Sequence, residues 1–168
     1  MKRDSRSDIA VHKSSVTMRS IFRHMMEEGY YPVFEETHIM FEVQDNMIVL
    51  EYEDGIMSLR LFLSIDEDAY DMFLEASNST MLRSFMVKPV LLEDMCTIMF
   101  SFEIPCTNMR EIKKHLKTGI RLLSETLEIH RNEMRKLIIA EEVLTTTVPA
   151  IEETSPMTGN GIKRKVLS

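Results

Sequence analysis

The chain has no tryptophan, five glycines, five prolines and two cysteines in 168 residues, and each scarcity removes a class of protein. None of the glycines falls in a GxGxxG or GxxxxGK[ST] arrangement, so no loop is built to cradle phosphate. Cys96 and Cys106 form neither a CxxC pair nor a disulfide framework. They fall near the two ends of one expected strand, which holds them about 30 Å apart, beyond disulfide reach. Free thiols in a reducing compartment are therefore expected. No apolar run approaches the ~18 residues of a membrane span. The opening MKRDSRSDIAVHKSS lacks the apolar core of a signal peptide, and the expected location is the cytoplasm. Basic charge is also short: 20 Lys and Arg against 27 Asp and Glu give a formal net charge of −7. That balance opposes general binding to nucleic acid or anionic membranes, which recruit a basic surface. Lys163, Arg164 and Lys165 are the nearest approach to a basic patch and read as a solvated tail.

Methionine, by contrast, is abundant, with 15 residues. It fills irregular core gaps and also makes surfaces that adapt to more than one partner; here it reads first as a substitute for Leu and Val in the core. Hydrophobic residues at 44% and charged residues at 28% fit one soluble globular domain. A chain of this length buries about two thirds of its unfolded surface. The expected division is a flexible N-terminus over 1–13, one domain over 14–144 and a flexible tail over 145–168.

Residues His38 to Ser64, HIMFEVQ-DN-MIVLEYE-DG-IMSLRLFLS, organise the rest. Alternating apolar runs separated by short polar turns specify a three-stranded antiparallel meander. Taking Asp45-Asn46 as the first turn pairs Val43 with Ile48, Phe41 with Leu50 and Ile39 with Tyr52. Taking Asp54-Gly55 as the second pairs Tyr52 with Met57, Leu50 with Leu59 and Ile48 with Leu61. Both turns put the large apolar residues on one face, and a one-residue slip would reverse a whole strand. The opposite face carries Met40, Met47, Val49 and Phe62 among polar residues, more apolar than a face that meets only water. These four are the candidate partner-binding residues.

Before the meander, a helix is expected from about Ser15 to Glu28, capped by Ser14 or Ser15 and stopped by Gly29. Residues 31–37 are a lead-in or a short first strand. After it, a second helix starts near Asp66 and runs to about Ala76, where Ser77-Asn78-Ser79-Thr80 interrupts it. Strands of about Phe85–Leu92 and Cys96–Ile104 follow, and Pro89 assigns the first of them to a sheet edge. The last element is the longest. Capped by Thr107 or Asn108, it carries a stripe of Ile112, Leu116, Ile120, Leu123, Leu127, His130, Met134 and Leu137. Unbroken to Leu144 it is about 55 Å long, too long for a domain with a radius of gyration of about 14 Å to cover. Either Gly119 breaks it or its second half projects and packs on a second copy. Projection is favoured, making Leu127, His130, Met134 and Leu137 the candidate self-association residues and a homodimer the expected state.

No reactive constellation stands out. His115 and His130 on one helix are about 22 Å apart and share no metal within a chain. Asp66, Glu67, Asp68 and Asp71 lack calcium-loop spacing and read as the acidic first turn of a helix. No catalytic residue, cofactor or metal site is assigned.

The segments EEGYYPVFEETHIMFEVQDNMIVLEY, DEDAY at the second helix, and EASNST before MVKPVLLEDMCTIMFSFEIP carry a resemblance. Their order resembles the type III secretion chaperone-like fold and, within it, the YbjN family of bacterial proteins, over about Ser15 to Leu137. The resemblance implies an α+β fold, α-β-β-β-α-β-β-α, with a mainly antiparallel five-stranded sheet, helices packed on it and a long C-terminal helix. It also implies protein binding or regulation and supplies no catalytic residues. The long C-terminal helix and tail depart from the family pattern. The expected function is a non-enzymatic protein-interaction module, chaperone-like or regulatory, with a partner protein of unknown identity; the alternative is a small-molecule or ion sensor.

Overall fold

The computed structural model describes residues 16–147. The expectations for residues 1–13, for Ser14 and Ser15 as caps, and for Lys163, Arg164 and Lys165 lie outside it, as does the tail from 148 onward. Helix α1 (Met18–Glu27) opens the fold, followed by strands β1 (Val33–Phe34), β2 (Ile39–Val43), β3 (Asn46–Glu53) and β4 (Ile56–Ser64). A 3₁₀ turn (Glu67–Ala69) leads into α2 (Tyr70–Met81), then β5 (Val87–Leu91), β6 (Thr97–Pro105) and α3 (Met109–Thr147). The sheet has six strands in the order β1-β2-β3-β4-β6-β5, every neighbouring pair antiparallel. The expected five become six because the lead-in forms a two-residue strand, Val33 pairing with Met40 and Phe34 with Ile39. Pro89 sits in β5 at the sheet edge, where its missing donor costs no ladder bond.

The β3–β4 register is the expected one: Tyr52 pairs with Met57, Leu50 with Leu59 and Ile48 with Leu61. At the first hairpin the turn is Gln44-Asp45, not Asp45-Asn46. Both turn residues hold positive φ, 50° and 62°, and the Asn46 amide donates to the Gln44 carbonyl at 2.7 Å. Asn46 therefore belongs to β3, paired with Val43, and Phe41 lies opposite Ile48. The register moves by two residues, one full side-chain period, so the division into faces is unchanged.

The inner face buries Ile39, Phe41, Ile48, Leu50, Met57, Leu59, Ile98, Phe100 and Phe102, each at 1% exposure or less. Packed against it are Ile21 and Met25 of α1 and Ile112, Leu116, Leu123 and Leu127 of α3. Helix α1 starts at Met18, capped by Thr17 in a reciprocal box with Ser20. Helix α2 runs through the polar cluster without interruption. Ser77 and Thr80 are buried with partners at hand: Ser77 Oγ meets His130 Nε2 at 3.3 Å, and Thr80 donates to the Ala76 carbonyl at 2.7 Å. Burial against α3 overrides the local preference of Ser and Thr for turns.

Helix α3 is continuous past Gly119. Asn108 Oδ1 caps it by accepting from the Glu111 N–H at 3.0 Å, while the Glu111 carboxylate reaches back to Thr107. Gly119 does not break the helix; it lets the helix touch the sheet. A Cβ there would lie 2.6 Å from Leu59 Cδ1 and 2.7 Å from Phe102 Cδ1. The helix's 39 residues extend about 58 Å. Glu133 is its last buried residue, Met134 and Leu137 are half-buried, and residues 138–144 are all exposed.

Candidate protein-interaction face

The helices pack on one side of the sheet, and among the described residues nothing covers the other side. Cross-strand pairing lays out its composition. One row runs Val33, Met40, Val49, Arg60, Ser101 and Lys88. In the next, Met47 and Phe62 stand one step beyond the Ile48–Leu61 pair, and Phe62 continues to Met99 and Val90. Met47 is 51% exposed and Phe62 43%, with Met40, Val49 and Met99 half-buried. The four candidate residues Met40, Met47, Val49 and Phe62 thus share one open face. Pairing with β1, β5 and β6 extends the apolar half by Val33, Val90 and Met99. Apolar residues alternate along β6, which sets Met99 apart from Ile98 and Phe100, whereas the brevity of β1 hides the place of Val33.

At the other end of this face the sheet is charged. Arg60 Nη1 meets Glu51 Oε2 at 2.5 Å, and Nη2 lies 3.6 Å from Glu103. The Arg60 Nε is buried without a hydrogen-bond partner. Ser58 and Ser101 are shielded by these neighbours, at 6% and 7% exposure. An apolar Met/Phe/Val end beside an anchored arginine between two carboxylates has the chemical mix of a protein contact.

The self-association candidates divide. Leu127 and His130 are each 2% exposed, inside the chain's own core, and so present no surface to a second copy. The helical stripe that suggested them was this chain's own packing face. His130 lies between the Phe73 and Phe100 rings, with centroids 5.6 and 5.3 Å away. Burial pushes its pKa below the usual histidine range, partly opposed by a hydrogen bond to the Phe73 backbone. Met134 and Leu137 are half-buried, and the apolar surface of α3 lies one turn further on, at Ile138, Ile139, Val143 and Leu144.

A cleft of about 570 Å³ opens between the β2–β3 turn and α3, with Val43, Ile48, Leu61 and Leu127 as its apolar lining and Glu128 and Arg131 at its polar edge. Cys96 is exposed and Cys106 buried; burial, reinforced by Glu111, pushes the Cys106 thiol up to about 11. Among the described residues no group of three or more His, Cys, Asp or Glu side chains is arranged to hold a metal, and no helix is long and apolar enough to cross a membrane.

No protein-family model matches the sequence, and no curated protein matches it. Solved structures do. The chain is similar to the crystal structure of YbjN from E. coli, described as a candidate transcription regulator. The TM-score is 0.60 at 8% identity, over 72% of this chain and 94% of that one. It is also similar to an uncharacterised protein from Methanothermobacter thermautotrophicus, with a TM-score of 0.54 at 14% identity, over 72% of this chain and 98% of the other. At such identities the likeness establishes the architecture: a YbjN-like α+β fold with an antiparallel sheet and a long C-terminal helix.

Proposed function

We propose that this protein is a non-enzymatic interaction module that binds a partner protein on the open face of its sheet, in a chaperone-like or regulatory role in the cytoplasm. One observation carries the reading: Met40, Met47, Val49 and Phe62 converge on a sheet face that no described element covers. Flexible methionines suit such a surface because they repack around different side chains. Free Cys96 and Cys106 fit a reducing compartment. The neighbour described as a candidate transcription regulator is consistent with a binding role.

A photoreactive residue at position 62 should form a covalent adduct with one protein in native extract. The same probe at position 114, on an exposed part of α3, should not, and Val49→Glu should suppress the adduct. Equal labelling from both positions would remove the sheet face from consideration.

The cleft favours a second reading, a small-molecule sensor, because its volume lies within the range of ligand sites. A metabolite that binds only the folded chain would raise its melting temperature by mass action. If no compound in a broad panel does so, the sensor reading falls.

A further inference from the structure

Helix α1 runs beside the first part of α3. Ser20 Oγ contacts Met109 Sδ at 3.2 Å, and Glu28 pairs with Lys117 at 2.6 Å, so equal steps along the two helices keep them side by side and parallel. At Gly29, in the left-handed region at φ +86°, α1 stops. The same side of α3 then faces the cleft, from Ser124 to Arg131, with Ile48 and Leu61 of the sheet below it. A second helix has a place there, continuing the layer that α1 begins.

The molecule also carries a helix end that none of the described residues buries. Residues 134–147 extend about 21 Å beyond Glu133, and Ile138 and Leu144 are 42% and 69% exposed. Beside the cleft, charges of alternating sign recur every seven residues along α3: Arg121, Glu128, Arg135 and Glu142. A seven-residue repeat keeps them in one row. Arg121–Glu142 and Glu128–Arg135 both lie symmetrically about the midpoint between 131 and 132, so a single antiparallel register of two copies makes both pairs, twice over. That register also lays Ile138 of one copy over the cleft of the other.

We infer that the cleft is closed by the α3 end of a second copy of this chain, the two helices antiparallel, with Arg121 opposite Glu142 and Glu128 opposite Arg135 across the two-fold axis. This deepens the interaction-module reading by assigning the self-associating surface, and it leaves the sheet face free for another partner. The site is isologous, and each cleft is incomplete without the other chain.

Sedimentation of the full chain over a concentration series tests it. The wild type should move between 19.6 kDa and twice that mass. Glu128→Arg, and separately Arg135→Glu, set like charges face to face at both symmetric contacts and should weaken the dimer about tenfold or more. The double variant Glu128→Arg/Arg135→Glu should recover most of that loss. Ile138→Glu, at an exposed position that leaves the fold intact by circular dichroism, should give only the 19.6 kDa species. A wild type that stays monomeric at every concentration overturns the inference. So does a dimer indifferent to both single reversals, and so does a double variant as weak as the sum of its parts. None of these results touches the sheet-face adduct, so the two readings fail separately.

Discussion

Replacing Gly119 by Ala tests how closely α3 approaches the sheet. In an exposed helix the change is stabilising, because Ala exceeds Gly by about 1 kcal/mol in helix propensity. Here the new methyl would stand 2.6 Å from Leu59 Cδ1, 2.7 Å from Phe102 Cδ1 and 2.8 Å from Phe102 Cε1, and both neighbours are 0% exposed. Relieving three overlaps in a closed core costs about 1–3 kcal/mol as side chains leave their rotamers or the helix lifts. The net expectation is a loss of about 1 kcal/mol, which at this chain length lowers the melting temperature by about 2–4 °C. Leu59→Ala alone should cost about 2–5 kcal/mol as a large-to-small core change. In the double variant the Gly119→Ala methyl occupies part of the vacated space, so the two costs should sum to more than the measured loss, as contacting sites do. Denaturant unfolding of the four proteins gives the cycle. A Gly119→Ala protein more stable than wild type by its full propensity gain would contradict the close approach of α3 to Leu59 and Phe102.

The remaining predictions concern titration, thiol access and capping. His130 and His24 are both buried with pKa values lowered chiefly by desolvation, Lys113 adding to the effect at His24. The unfolded chain therefore binds more protons than the folded one once pH falls below the unfolded histidine value of about 6.5. The contribution of these two histidines to stability should be flat above that value and decline as pH drops toward the folded values, by at most about 1.4 kcal/mol per pH unit for each histidine. His130→Gln should flatten part of this slope, and an unchanged slope would remove His130 as a cause. Cys96 should alkylate rapidly near pH 8, while buried Cys106, with its thiol pushed up to about 11, should stay unmodified in the folded chain. Mass spectrometry showing two labels at equal rates would contradict that burial. Asn108→Ala should cost about 1 kcal/mol through loss of the cap on Glu111 N–H, read by thermal unfolding.

The meander was legible because its faces rest on alternation, which survives an error in the turn. Choosing Asp45-Asn46 over Gln44-Asp45 misplaced pairs by two residues but left Phe41, Ile48 and Leu50 in the core. The open face followed from the same periodicity. What sequence alone does not carry is which neighbour buries a given apolar stripe. Leu127 and His130 have the spacing of a helix interface in either case, and only the position of α2, with Ser77 against His130, shows that the interface is internal. Gly119 was ambiguous for a similar reason: a glycine inside a helical pattern marks a break or a close contact, and Leu59 and Phe102, distant in sequence, decide between them. Burial of Ser77 and Thr80 was hidden because local propensity favours a turn there. The cleft comes from the end of α1 and the course of α3, which no local pattern encodes.

Methionine oxidation by dilute peroxide, mapped by peptide mass spectrometry, tests the open face most directly, because thioether oxidation follows solvent access. On the purified chain Met47, 51% exposed, should oxidise far faster than Met25 and Met57, both at 0%, with Met40 and Met99 between them. Adding the partner identified by the adduct at position 62 should slow Met47 and leave Met81, on α2, unchanged. A Met47 as slow as Met57 in the purified chain, or one that the partner leaves unprotected, would contradict the central claim.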